Sequence, residues 1–171
     1  LSVRYGLDAV QWRYDPILLY KQYTVEQHIK SFRKMCTLLR GYTKTCVISF
    51  VKLYKKVKEN FPSLRECSKE EQIFLLEQLT RIAKENDIRI TLCGESTGLE
   101  GFDIDTSGCM TQAVLERAIH AHLKIPPYKP SRAECACYFA ADIGAYNTCA
   151  HFCSYCYANF NKSAVKENMK A

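Results

Sequence analysis

Three cysteines fall within eight positions in the stretch Cys149-Ala-His-Phe-Cys153-Ser-Tyr-Cys156-Tyr-Ala-Asn, spaced C-x3-C-x2-C, with Tyr155 directly before the last of them. Such spacing lets a short loop wrap one soft metal centre and aim three thiolates at it. A structural zinc site takes four ligands. Three close ligands therefore point to an iron–sulfur cluster that keeps one iron open to a small molecule, which is chemistry rather than scaffolding. The competing reading is three thiols packed in the core or joined in disulfides.

Four more cysteines suggest a second centre. Cys93 ends an apolar run, Cys109 opens a helical one, and Cys135 and Cys137 lie two apart before the main motif. Together they make a four-thiolate set suited to a second [4Fe–4S] cluster or to zinc. Separate buried or free thiols are the alternative. Arg13 and Asp15 stand at the end of an expected strand, where βα folds place their active sites; a surface ion pair is the plainer reading. Glu95, in Cys93-Gly94-Glu95, holds a similar position and is a candidate partner for a ligand amine. Asp142 lies close enough in sequence to bond the cysteine loop, whereas His151 reads as exposed. His120 and His122 are two apart on an expected helix and cannot share a face.

The pattern C-x3-C-x-aromatic-C resembles the radical S-adenosylmethionine (SAM) enzymes, and Tyr155-Cys156-Tyr157-Ala158-Asn159 is similar to the spore photoproduct lyase-like branch. That resemblance implies a [4Fe–4S] cluster on Cys149, Cys153 and Cys156. S-adenosylmethionine would bind the open iron and be cleaved reductively, with Tyr155 near the adenine. It also implies a TIM-like barrel, and a ferredoxin or flavodoxin as reductant. The larger set of Trp12-Arg13-Tyr14-Asp15-Pro16, Cys46-Val47-Ile48-Ser49-Phe50, Asp142-Ile143-Gly144-Ala145-Tyr146 and the final cysteine run resembles a bacterial family, domain of unknown function 1848. In that family these segments form the C-terminal part of a longer protein. Radical SAM enzymes carry the motif after the first barrel strand; here it lies near the end of the chain, with 15 residues after Cys156 (171 − 156).

The elements that must position these residues follow a βα rhythm. Ala9 to Arg13 reads as a strand with Val10 and Trp12 on one side, closed by Tyr14-Asp15-Pro16. Thr24 and Gln27 form an expected capping box for a helix carrying Val25, Ile29, Phe32, Cys36 and Leu39, stopped at Gly41. Thr45 to Phe50 fits a strand buried on both faces. A short helix from about Leu53 ends before Pro62. Ser68 and Glu71 cap a long helix through Ile73, Leu76, Leu79 and Ile82, and Ile88, Ile90 and Leu92 alternate in a third strand. A glycine-rich loop from Gly94 to Gly108 leads to a helix over Thr111 to Leu123, stopped by Pro126-Pro127. A short, weakly held helix is expected after Asn159.

The fold class is therefore α/β, built of parallel βα units: a partial TIM-like barrel, or alternatively a doubly wound sheet. The organisation expected is a βα-repeat region over 1–123 and a cysteine-rich iron–sulfur segment over 124–171, packed on the same domain. With 171 residues, 47% of them hydrophobic, the chain can build one core. No apolar run is long enough to span a bilayer and no signal peptide is visible. The ten cysteines therefore read as cytoplasmic, metal-spaced thiols rather than disulfide staples. A net charge of +6 permits an anionic partner, but no basic stripe interleaved with aromatics supports nucleic acid.

Overall fold

The computed structural model describes residues 1–94, 98–99, 101–126, 137 and 144–170. After a short helix α1 (Ser2–Tyr5) and a tight turn over Leu7–Ala9 come β1 (Gln11–Ile17), α2 (Val25–Leu39), β2 (Thr45–Phe50) and α3 (Lys55–Asn60). Then follow α4 (Lys69–Glu85), β3 (Arg89–Leu92), β4 (Ile104–Asp105), α5 (Gln112–Ile119) and α6 (Lys162–Asn168). The four strands form one parallel sheet in the order β1-β2-β3-β4.

Strand alternation sorts the sheet into two faces. In register, Trp12 pairs with Cys46, Cys46 with Ile90 and Ile90 with Ile104. All four pack into the main core with Phe32 and Cys36 of α2 and Leu75, Leu76, Leu79 and Ile82 of α4. Since α2 and α4 also touch each other, both crossover helices cover the same face. Trp12 stacks on Phe32 with ring centroids 4.9 Å apart, which seats α2 over β1. The intervening row, Arg13, Val47, Thr91 and Asp105, turns to the other face. There Val47 meets Cys109 and Cys137 in a separate cluster.

Local chemistry sets the helix starts. The Thr24 side chain accepts from the Gln27 N–H, but the Gln27 side chain bonds Ser31 Oγ at 2.8 Å instead of reaching back. Only half of the expected box forms there. At α4 the box is complete between Ser68 and Glu71. Arg65 grips the same carboxylate with two contacts of 2.5 and 2.6 Å.

Four boundaries differ from the sequence reading. β1 runs through Pro16 to Ile17, with a cis Asp15–Pro16 peptide and a register irregularity between Tyr14 and Ile17. Among the described residues β1 pairs on one side only, and an edge strand tolerates the loss of the N–H that proline lacks. The glycine-rich loop contributes β4, which its two-residue length hid from any periodicity. α5 ends at Ile119 because His120 turns left-handed, at φ 54°, and the Glu116 carboxylate then takes the Leu123 N–H at 2.9 Å. The last helix, α6, is firmly held rather than loose: Asn161 caps it and Val165 is buried.

Replacing Ser68 with alanine is expected to cost about 1 kcal/mol of unfolding free energy, measured by urea denaturation at neutral pH. Arg65 and the Ser68 N–H hold the Glu71 carboxyl down at about 2, below its unfolded value of about 4.3. Its contribution is therefore complete above about 4.3 and is lost as pH falls toward 2. Glu71→Gln should flatten the stability profile in that acid window. An unchanged slope in the variant would remove Glu71 as its source.

Candidate functional site

Two buried asparagines pin the loop that carries the cysteine motif. Asn147 and Asn159 are only 8% and 3% exposed. Asn147 sits in the left-handed region at φ 57°, a conformation its short polar side chain tolerates. Its Oδ1 accepts the N–H groups of Phe160 and Asn161, each at 3.0 Å. Its own N–H donates to the Ala158 carbonyl at 2.9 Å, and its carbonyl accepts from Asn168 at 3.1 Å. The Asn159 side chain donates to the Cys149 carbonyl. From α3, Lys56 Nζ donates to the carbonyls of Cys156, at 2.7 Å, and of Asn159, while Asn60 reaches the Ser154 carbonyl at 2.7 Å.

The loop backbone is thus fixed at both ends and in the middle, while its thiols stay at the surface. Cys149 and Cys153 are exposed, Cys156 is half-buried, and all three are free. The Cys156 N–H closes a turn on the Cys153 carbonyl at 2.9 Å. No three His, Cys, Asp or Glu side chains among the described residues are gathered as a metal-holding group. The motif cysteines share one loop, yet their sulfurs do not converge as the spacing leads one to expect.

Beside this loop lies a cavity of about 620 Å³, walled by the end of β1, the first turns of α2 and Tyr155. Its volume falls in the range of small-ligand sites. Three residues expected to bind a cofactor meet here: Arg13, Asp15 and Tyr155. Arg13 donates to Asp15 Oδ2 at 2.7 Å. Burial pushes the Tyr155 hydroxyl up, helped by Tyr54 and Asp15, so the ring presents a neutral face. Sequence reasoning missed His28, which is buried at 8% exposure. Its Nδ1 lies 2.8 Å from the Tyr14 hydroxyl and its Nε2 2.7 Å from the Leu18 carbonyl. A polar residue on the inward stripe of α2, between Val25 and Phe32, was the available signal.

On the second face of the sheet Cys109 meets Arg13, Cys137 and, by packing, Cys93. Cys109 and Cys137 are 5% and 2% exposed with their sulfurs 3.3 Å apart, and Cys93 packs against them. Arg13 Nη1 donates to Cys109 Sγ at 3.6 Å. The hydrogen bond from Cys93, then those from Arg13 and Cys137, hold Cys109 well below the usual thiol range despite its burial. The same Cys93–Cys109 bond, together with burial, pushes Cys93 up. Burial alone works against the Arg13 charge, but its bonds to Cys109 and Asp15 outweigh that and raise its affinity for the proton.

Of the four cysteines expected at a second centre, the structure brings together Cys93, Cys109 and Cys137. Cys135, Glu95 and Asp142 lie outside the described residues. His151 is exposed, as expected. His122 lies beyond the end of α5, 2.7 Å from Glu116. No helix among the described residues is long and apolar enough to cross a membrane.

A mixed α/β chain with a four-stranded parallel sheet, a cavity at the end of its first strand and a pinned cysteine loop is the class that fold and site define. The chain belongs to the domain of unknown function 1848 family (DUF1848), whose family model matches residues 1–158. No curated protein and no solved structure matches the chain.

The clamp makes a testable case. Asn147→Ala should leave two N–H groups without their acceptor, costing about 1–3 kcal/mol, and Asn147→Gly should be milder because glycine accepts the left-handed backbone. Urea denaturation orders the variants, and limited proteolysis should cut first within 147–160. Equal stability of alanine and glycine would show that the backbone conformation is not what asparagine supplies.

Proposed function

We propose that this chain is part of an iron–sulfur enzyme of the radical SAM type, with Cys149, Cys153 and Cys156 holding a [4Fe–4S] cluster and the adjoining cavity taking S-adenosylmethionine. The observation that carries the reading is a juxtaposition. Tyr155, inside the cysteine motif, lines the same cavity as Arg13 and Asp15 of β1. The motif comes last in the sequence, yet its Tyr155 borders a cavity lined by the first strand, which supports the reading.

The donor set fits such a group. Its three thiols sit on one loop with a fixed backbone, free of disulfides and outside the apolar core. When bound, the cluster supplies one-electron reductive cleavage of a carbon–sulfur bond. The chain's own residues bind and orient. Arg13 offers a cation suited to a carboxylate and Asp15 an anion suited to an ammonium. Tyr155, held neutral, gives an adenine ring a flat apolar wall. A ferredoxin or flavodoxin is the reductant implied.

We read the sheet as part of a TIM-like barrel. Strand order follows chain order and both crossovers cover one face, as in a barrel wall; a doubly wound sheet reverses its order and uses both faces. In this reading residues 1–123 form the wall and 124–171 the iron–sulfur segment, bonded to it through Lys56 and Asn60.

Anaerobic reconstitution of the full chain with iron and sulfide is expected to give a brown protein with about four irons per chain. With a strong reductant it should release methionine from S-adenosylmethionine. Cys153→Ala should lose the iron, whereas Arg13→Ala should keep it and cleave at least tenfold more slowly at subsaturating cofactor, for loss of a charged contact. Iron bound without any cleavage would turn the reading into a non-catalytic metal-binding module. Stoichiometric iron retained in Cys153→Ala would overturn the ligand assignment.

A further inference from the structure

Cys93, Cys109 and Cys137 serve neither the loop nor the cavity wall, yet they are gathered from distant parts of the chain. Cys109 and Cys137 are 28 positions apart and bring their sulfurs to 3.3 Å. A disulfide spans about 2.05 Å, so closing the bond requires little more than 1 Å of approach. Core thiols elsewhere offer a contrast. Cys36 and Cys67 are buried with no cation bonded to sulfur, and burial pushes their thiols up to about 12 and about 11, which makes them inert. Cys109 instead has a guanidinium donor, Arg13, and a neighbouring thiol in contact.

We propose that Cys109 and Cys137 form a reversible peroxide-reactive pair, with Cys109 the attacking sulfur and Cys137 the resolving one. Cys109 attacks the terminal oxygen of a hydroperoxide. The O–O bond breaks, the alcohol leaves with the proton that Cys109 gives up, and the sulfur is oxidised to a sulfenic acid. Cys137 then attacks that sulfur, and the S–O bond breaks. Water leaves with the Cys137 proton, and a disulfide remains. Two thiols and one hydroperoxide thus become one disulfide, one alcohol and one water, and a dithiol restores the pair by exchange. Arg13 is a positioning residue here: it stabilises the anionic sulfur. Cys93 is the more exposed neighbour and packs against the pair.

The pair also acts on the cavity. Oxidation removes the sulfur acceptor that Arg13 holds at 3.6 Å and leaves the guanidinium to Asp15 and to whatever occupies the cavity.

The full chain, reduced and desalted anaerobically, is treated with a slight excess of hydrogen peroxide, alkylated and mapped by peptide mass spectrometry. The expected product is a cross-linked peptide pair containing Cys109 and Cys137, lost again with dithiothreitol. Cys137→Ser should stop at a sulfenic acid on Cys109 that dimedone traps, and Cys109→Ser should give neither product. Arg13→Gln should slow the loss of free Cys109 several-fold at neutral pH, and Arg13→Lys should recover part of the rate. Should a serine variant not fold, the map of the unaltered chain decides alone. Full alkylation of both cysteines after peroxide, bridges confined to other cysteines, or protection that a chelator relieves would each overturn the pair.

Discussion

Parallel register across β1, β2 and β3 is the constraint on which the rest depends. It aligns Trp12 with Cys46 and Ile90, and Arg13 with Val47 and Thr91. A shift of one residue in β1 would turn every side chain to the other face. Trp12 would leave Phe32, and Arg13 would be driven into the apolar core beneath α2. The hydrophobic row therefore does more than bury area. By anchoring one face it obliges the intervening charged residue to emerge on the other. Arg13 reaches Cys109 and Asp15 because Trp12 and Tyr14 are fixed in the core on either side of it in sequence.

From that placement the site follows as a set of compensations. A guanidinium beside apolar surface needs acceptors, and it has two: a carboxylate at 2.7 Å and a sulfur at 3.6 Å. A half-buried thiol cluster needs its charge neutralised, and the same guanidinium serves. The motif loop has the opposite problem, since it contributes few apolar side chains to a core. It substitutes buried amides, so Asn147 and Asn159 satisfy backbone groups that a loop otherwise leaves to water. Lys56 does likewise from α3. The outcome is a stiff backbone with free side chains, which suits a loop that must present ligands in a fixed frame without packing them away.

Much of the fold was legible because its signals are local. The apolar run around Ile48, the alternation around Ile90, the Ser68–Glu71 box and the periodic stripe of α4 each report their own geometry within a few residues. The parallel arrangement followed from the alternation of strand and helix. What stayed hidden depends on contacts between distant segments. Asn147 is an ordinary loop residue until α6 folds back on it. His28 stands on the inward stripe of α2, but its partners, the Tyr14 hydroxyl and the Leu18 carbonyl, come from outside the helix. β4 is too short to carry any pattern, and the strand's passage through Pro16 depends on β1 pairing, among the described residues, along one side only. The motif marked its own cysteines by spacing, but spacing fixes backbone proximity rather than where the sulfurs turn.

Cysteine itself is the clearest illustration that residue type underdetermines role. Cys36, Cys46 and Cys67 are small apolar fillers in a packed interior, where losing a proton would strand a charge. Cys149 and Cys153 lie exposed, and Cys156 half-buried, on a loop held by amides. Cys93, Cys109 and Cys137 occupy neither environment. They lie in a small cluster of their own with Val47, enclosed but electrostatically compensated, because a single row of the sheet turns Arg13 toward them. The chemistry available to each sulfur is therefore decided by its first neighbour: a leucine or isoleucine, solvent, or a guanidinium. Since the same Arg13 borders both the thiol cluster and the cavity, the two are electrostatically joined, and a change of charge at Cys109 must alter what the cavity offers an anion.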